Sequence, residues 1–463
     1  MSITATEQTP NAKQSTAKLS FWEKAGFGAG DLGFNFFWAT WSSYLMIFYT
    51  DVFGISAAAV GTMMLLTRIV DAFTDPAMAA IADRTRSRWG KFRPYLLFGA
   101  IPMAGAAILT FTIPDISEGG KLIWAYATYT LMMLCYTILS IPYSALSGVM
   151  TGDSQQRTTL ISFRFIGAFV GTMIVNWLTP DMVKWLGGDN EALGWQLTMG
   201  LYGVVAAVLF VVVFATTRER ITPPEGQQTH FTSDIKDLID NKPWLILFSL
   251  ALIIMITIYL RGATGAYYFT YFVERPELIG PYLGLQSAAL AIGAACTPLM
   301  TMYLGKKQLM VLLMSIVGIL SILFFFIPKD MIWLMFAVNT IICFALGPKS
   351  PLAFSMYADT ADYTEWKTGR RATAMTFAAA TFSQKLGGAI ASAVIGWTLG
   401  ALGYVANQAQ NDASQMGIVV LLTIVPGAVA LIAAGVVSFY SLDEATMAQI
   451  QQDLADRKTP ATP

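Results

Sequence analysis

The sequence predicts an all-α membrane protein, with twelve transmembrane helices in two six-helix bundles. Three observations carry that expectation. Hydrophobic residues make up 55% of the 463-residue chain against 13% charged, and the mean hydropathy is +0.55, far more apolar than a soluble chain that balances core and surface. Apolar runs long enough to cross about 30 Å of hydrocarbon as helices recur along the whole length. The longest polar break, TTRERITPPEGQQTHFTSDIKDLIDNKP at 216–243, divides them six from six.

In chain order, residues 1–20 are polar and lack the apolar core of a signal peptide, so they are expected to form a disordered cytoplasmic tail. The first bundle, 21–216, holds spans near 27–50, 56–82, 94–114, 121–149, 161–180 and 194–216. A cytoplasmic loop, 217–242, follows, with a short surface helix expected around Ile235, Leu238 and Ile239. The second bundle, 243–441, holds spans near 243–273, 279–304, 308–327, 331–357, 373–402 and 414–441, and residues 442–463 form the other tail. The LGKK sequence at 304–307 sits where DRTRSRWGKFRP sits in the first half, a faint trace of duplication.

Basic residues set the orientation, because Lys and Arg in short loops stay cytoplasmic. With both termini inside, only Lys121, Lys184, Arg275 and Lys329 fall outside. Five more of the 29 (Arg68, Arg164, Arg261, Lys349, Lys385) fall within spans, and the rest lie on the inner side. The opposite orientation reverses that asymmetry and is not expected on this ground.

Enzymatic chemistry finds no foothold. There is no phosphate-binding loop, dinucleotide fingerprint or nucleophile constellation. Cys135, Cys296 and Cys343 lie in spans without metal-site or disulfide spacing, and His230, the only histidine, lies in the polar central loop. No cofactor and no nucleic-acid partner is expected.

What stands out is DAFTDPAMAAIADRTRSRWGKFRP, 71–94. Asp71 and Asp75 lie one helical turn apart on one face, about 5 to 6 Å between Cβ atoms. A charge at the centre of a spanning helix costs roughly 2.5 to 3.5 kcal/mol, so the pair is expected to face the interior, where a cation offsets their repulsion. The same pair can hold H⁺, or Na⁺ with further oxygen ligands such as Thr74. The competing reading pairs the two with Arg68 or the basic loop. Asp83, in that loop, is expected to tie to a neighbouring helix end.

DAFTDP with ADRTRSRWGKFRP, YTILSIPYSAL at 136–146 and ADTADYTEWKTGRR at 358–371 together resemble the glycoside-pentoside-hexuronide:cation symporter family of the major facilitator superfamily. The similarity runs through roughly 20–445. GAGDLGFN (28–35) and RGATGAYYFTYF (261–272) resemble its xyloside and glycoside carriers. The resemblance implies a major facilitator fold, and import of a glycoside, pentoside or hexuronide with Na⁺ or H⁺ by a monomer in the inner membrane.

Carried over residue by residue, it places the cation at Asp71, Thr74, Asp75 and Thr137, with Asp71 and Asp75 as Na⁺ ligands if sodium is the coupling ion. It places the sugar at Phe34, Asn35, Tyr136, Ser140, Ser144, Arg164, Ser350, Thr381 and Lys385. Two aspartates that hold a galactoside elsewhere in the family are Asn35 and Ser140 here, and two tryptophans are Ser144 and Ser350. That leaves a roomier, less negative pocket that suits a bulkier or acidic glycoside. Lys349 and Arg261 are further substrate-contact candidates, each able to meet a substrate carboxylate or to pair with Asp31 or the Asp71/Asp75 site. Arg164 and Lys385 are equally open to interhelix bonds, and Trp38 and Tyr268 to stacking on a sugar ring. Two other functions stay open, a carrier of lysolipids or drugs on the same architecture and a membrane sensor that transports nothing.

Overall fold

Caps, rather than apolarity alone, decide where several helices begin. In the computed structural model, which describes residues 18–151, 154–220, 239–368 and 373–458, Ser20 forms a capping box with Glu23 at the start of α1 (Phe21–Ser43). Side chains of Ser56, Ser117, Asn190, Asn241 and Asn411 accept from the third residue onward to start α2 (Ala57–Arg84), α4 (Glu118–Met150), α6 (Glu191–Thr216), α7 (Lys242–Tyr267) and α12, which runs as Asp412–Leu422 and Ile424–Ser438. The remaining long helices are α3 (Arg93–Thr110), α5 (Ser154–Gly187), α8 (Ile279–Ala295, followed by a short helix Thr297–Tyr303), α9 (Lys306–Phe324), α10 in two pieces (Ile332–Leu346 and Lys349–Thr368), α11 (Thr373–Ala401) and a final helix α13 (Glu444–Lys458).

Ten segments among the described residues are long and apolar enough to cross a membrane. The two expected spans missing from that set are α1, which carries Glu23, Lys24 and Asp31, and α11, which carries Lys385 amid Gly, Ser and Thr. With them the helices agree with the expected twelve. Several outrun the apolar stretch that announced them: α5 starts at Ser154 and α10 continues to Thr368, because helical hydrogen bonding continues past the end of the apolar run. Ile235 and Leu238 of the expected surface helix, His230 and the Asp83 side chain lie outside the described residues.

The helices form two bundles. In the first, α1 packs on α5 and α6, and α3 on α4 and α6; in the second, α7 packs on α11 and α12, and α9 on α10 and α12. The bundles meet through α2 with α11, α5 with α8, and α1 with α7. Bulk is excluded where α2 crosses α11, because a Cβ on Gly396 would lie 2.3 Å from the Ala57 carbonyl oxygen and 2.9 Å from the Gly61 Cα. This contact lies at the far end of the molecule, opposite the basic 84–93 loop.

The faint repeat becomes clear in the backbone. After α1 and after α7 the chain makes a single π-helical turn, Phe48–Val52 and Tyr268–Phe272. Phe53 N–H donates to Phe48 O at 2.9 Å and Ile55 N–H to Tyr49 O at 2.9 Å; in the second half Val273 N–H donates to Tyr268 O at 3.0 Å and Arg275 N–H to Phe269 O at 2.8 Å. At the basic end, Glu219, just after α6, accepts from the backbone N–H groups of Lys91, Phe92 and Arg93 at the start of α3. Glu444, just after α12, accepts from Lys306 N–H at the start of α9. Each carboxylate satisfies N–H groups that the first helical turn leaves free.

Candidate functional site

Between the bundles lies a cavity of about 430 Å³, within the range of small-molecule sites. Its wall is built from α1, α4 and α5 on one side and α7, α8, α10 and α11 on the other, with Asp75 of α2. Trp38, Tyr136 and Tyr259 supply aromatic faces, and Trp38 meets Tyr259 edge-on across the halves with ring centroids 5.9 Å apart. Amide and hydroxyl groups of Asn35, Thr172, Asn176, Gln286 and Ser287 supply hydrogen bonding. Some of that capacity is already used: Thr172 Oγ1 donates to Asn35 Oδ1 at 2.9 Å, and Asn176 Nδ2 to Ser287 Oγ at 2.8 Å, the latter joining α5 to α8. Asn176 Oδ1 and Gln286 Oε1 are buried acceptors without a partner.

Five charged side chains line this space, and four are paired. Arg164 Nε on α5 donates to Asp31 Oδ2 on α1, its Nη2 donates to Oδ1 at 3.3 Å, and the Tyr143 hydroxyl donates to the same carboxylate at 3.1 Å. The Arg164 guanidinium also lies 4.8 Å from the centroid of the Tyr143 ring. On the other wall, Lys385 of α11 pairs with Asp75 of α2, and Thr137 Oγ1 of α4 donates to Asp75 Oδ1 at 3.0 Å. The Lys385–Asp75 pair therefore bridges the two halves. Lys349 is the fifth charge.

The expected shared environment of Asp71 and Asp75 resolves into two. Asp71 is buried, lies off the cavity wall and pairs with Arg68 Nη1 at 2.7 Å. Three residues earlier on the same helix face, Arg68 reaches Asp71 within one turn, while Asp75, one turn nearer the basic end, meets α4 and α11 instead. Thr74, between them, keeps a buried hydroxyl with no partner. Among the described residues no group of three or more His, Cys, Asp and Glu side chains is placed to hold a metal ion.

Of the sugar-contact candidates, Phe34, Asn35, Tyr136, Ser140, Ser144, Arg164, Lys349, Ser350, Thr381 and Lys385 all reach the cavity wall. Arg261 is corrected. It is 1% exposed inside the second bundle, bonded to Asn339 Oδ1, Ser321 Oγ (3.2 Å) and the Leu422 carbonyl (3.3 Å). It lies on the face of α7 that packs against α9, α10 and α12 rather than on the face toward the first bundle. Tyr268 is buried in the same bundle against Phe272 and Phe324 and does not line the cavity.

Sequence reasoning passed over Asn176 and Gln286, although each is a lone amide in an apolar run, GTMIVNWL and YLGLQSAA, which by itself marks a candidate site.

Comparison with known proteins agrees with this architecture. Residues 26–444 match the family described as MFS/sugar transport protein. The chain is 38% identical to the inner membrane symporter YicJ of Escherichia coli (strain K12), over 95% of this chain and 96% of that one. It is 37% identical to the isoprimeverose transporter of Lactiplantibacillus pentosus, over 84% and 82%. A solved bacterial homologue of the human lysosomal transporter Spinster superposes with a TM-score of 0.65 at 15% identity, covering 95% of this chain and 98% of that one, which shows a shared fold. With this fold, this cavity and a match over nine-tenths of its length, the chain belongs to the MFS/sugar transport protein family and is a membrane transporter, not an enzyme.

Proposed function

We propose that the chain is a cation-coupled symporter that imports a glycoside, pentoside or hexuronide across the cytoplasmic membrane by alternating access. The observation that carries this reading is the Asp75–Lys385 pair, which joins the two halves on the wall of a polar, aromatic-lined cavity. A co-transported Na⁺ or H⁺ competes with Lys385 for Asp75, with Asp71, Thr74 and Thr137 supplying the nearby oxygens, and frees the ammonium and the halves from each other. The hydroxyl and amide groups of Asn35, Ser140, Ser144 and Gln286 bind sugar hydroxyls, and an aromatic face at Trp38 or Tyr136 takes the ring.

The halves 21–216 and 243–441 rock as units about the cavity, joined by the 217–242 loop. The basic end faces the cytoplasm, as do both termini. The close far-end contact of α2 with α11 then corresponds to a state shut toward the outside. The reading takes the transporter as a monomer.

The test is uptake of labelled glycosides into membrane vesicles with imposed Na⁺ or H⁺ gradients. Accumulation against the sugar gradient is expected only with one of the two ions. Asp71→Asn and Asp75→Asn are each expected to abolish that accumulation while leaving downhill sugar exchange within about tenfold of the wild type. Uphill accumulation that survives either change would show that the carboxylates do not couple the ion.

A further inference from the structure

Lys349 differs from every other charge on the cavity wall. It is 8% exposed, it lines the cavity, and among the described residues it makes no ion pair or side-chain hydrogen bond. Asp31 is matched by Arg164 and Asp75 by Lys385, and just behind the wall Asp71 is matched by Arg68. Arg261, the other interior cation without a carboxylate, is taken up by amide, hydroxyl and carbonyl acceptors away from the cavity. Among the described residues, Lys349 is therefore the one basic side chain on the wall that no acidic side chain matches. An ammonium removed from water without a partner is costly, so the position makes sense where its partner arrives with the cargo.

The backbone adds to it. α10 breaks at Gly347–Pro348, and Lys349 and Ser350 are the first two residues of its second, 20-residue piece. The start of a helix presents N–H groups without helical acceptors and a partial positive charge, both of which favour an anion. Ser350 lines the cavity alongside Lys349 and brings a hydroxyl donor to the same spot. Among the described residues no carboxylate is paired with Lys349 to compete for it.

We propose that Lys349, with Ser350 and the start of the second α10 piece, is an anion subsite, and that the cargo is a glycoside carrying a single acidic group. This inference rests on the sugar-symport reading and names the class of sugar. One negative charge on the cargo neutralises the wall. The sugar ring then lies toward Trp38, Tyr136 and the amides of α5 and α8, leaving Asp75 and Lys385 to the coupling ion. A carboxylate and a sulfonate satisfy the subsite equally in charge and differ in shape.

The experiment measures binding to the purified full-length protein by isothermal titration, using three probes with the same aglycone: 4-nitrophenyl β-D-glucoside, 4-nitrophenyl β-D-glucuronide and the 6-deoxy-6-sulfo analogue of the glucoside. The wild type is expected to bind at least one acid about tenfold or more tightly than the neutral glucoside, as a charge-assisted hydrogen bond implies. Lys349→Met is expected to erase that preference while keeping affinity for the neutral glucoside within about threefold, which also shows that the variant is folded. Lys349→Arg is expected to keep it. The ratio of the two acid affinities tells carboxylate from sulfonate. Equal or tighter binding of the neutral glucoside by the wild type, or a preference that survives in Lys349→Met, overturns the inference and leaves the sugar-symport reading standing. Failure of the wild type to bind either acid also overturns the inference, while the sugar-symport reading falls only if no glycoside is accumulated in the vesicle test above.

Discussion

At the scale of single residues the molecule is organised by which carboxylate each buried cation answers. Asp75 and Lys385 come from different halves, and their side chains stay 24% and 12% exposed to the cavity, so their pair is neither a screened surface contact nor a dry core bridge. Removing one partner leaves the other charge stranded. Lys385→Met is accordingly expected to lower stability by about 1 to 3 kcal/mol, and the double change Asp75→Asn with Lys385→Met to recover much of that loss, as a double-mutant cycle of thermal unfolding in detergent would show. A loss in the double change equal to the sum of the losses from Asp75→Asn and Lys385→Met alone would mean that the pair contributes nothing beyond its parts.

This is also the scale at which the sequence is least explicit. That Asp71 and Asp75 share a helix face follows from their spacing, and Arg68 was in view as a partner. That Lys385, 310 positions away, holds Asp75 while Arg68 holds Asp71 depends on how α2 and α11 are rotated, which no local pattern encodes. Arg261 shows the same limit. A cation in an apolar helix announces that it needs acceptors, and only the packing of α7 against α9, α10 and α12 reveals that Asn339 and Ser321 provide them.

At the scale of elements, boundaries and interruptions carry the function. The expected span at 331–357 ran straight through Gly347–Pro348, although a Gly-Pro dipeptide is a stop signal, and its consequence, a helix start and a lysine at the cavity, needed the fold. At the far end, α2 and α11 approach so closely that a side chain at 396 has no room. Gly396→Val is expected to cost the shut state about 1 to 3 kcal/mol through overpacking, shifting the balance toward opening on that side by roughly 5- to 150-fold. Thiol labelling reads this directly. With Cys135, Cys296 and Cys343 replaced by alanine, a cysteine in place of Ser287 should react faster with an impermeant maleimide applied from the far side in the Gly396→Val protein than in its parent. An unchanged rate would indicate that the glycine contact does not hold the closure.

For the whole molecule, composition and the polar break at 216–243 were enough to state the class of fold and the division into halves, because a bilayer permits few ways to satisfy a backbone. The orientation argument is equally global and is checked by fusion of a fluorescent protein and of a periplasm-dependent phosphatase to the C-terminus. Fluorescence without phosphatase activity is expected, and the reverse pattern would invert the direction of transport assigned above. Less legible was the internal repeat, reduced in the sequence to a glycine and a lysine in each half, because duplicated bundles keep hydrogen-bond geometry long after they lose residue identity. The paired roles of Glu219 and Glu444 at the starts of α3 and α9 show how much geometry outlasts sequence.

The two π-helical turns carry that point further. Asp51 and Tyr271 occupy equivalent places in them, 220 residues apart, and the Tyr271 hydroxyl donates to the Asp51 carboxylate, with Tyr404 donating to its other oxygen. Two identical halves would set acid against acid or phenol against phenol at that point. The bolt that fastens the two halves at this end therefore exists only because the twins do not match, and a pair of identical turns would need other contacts to hold the same seam.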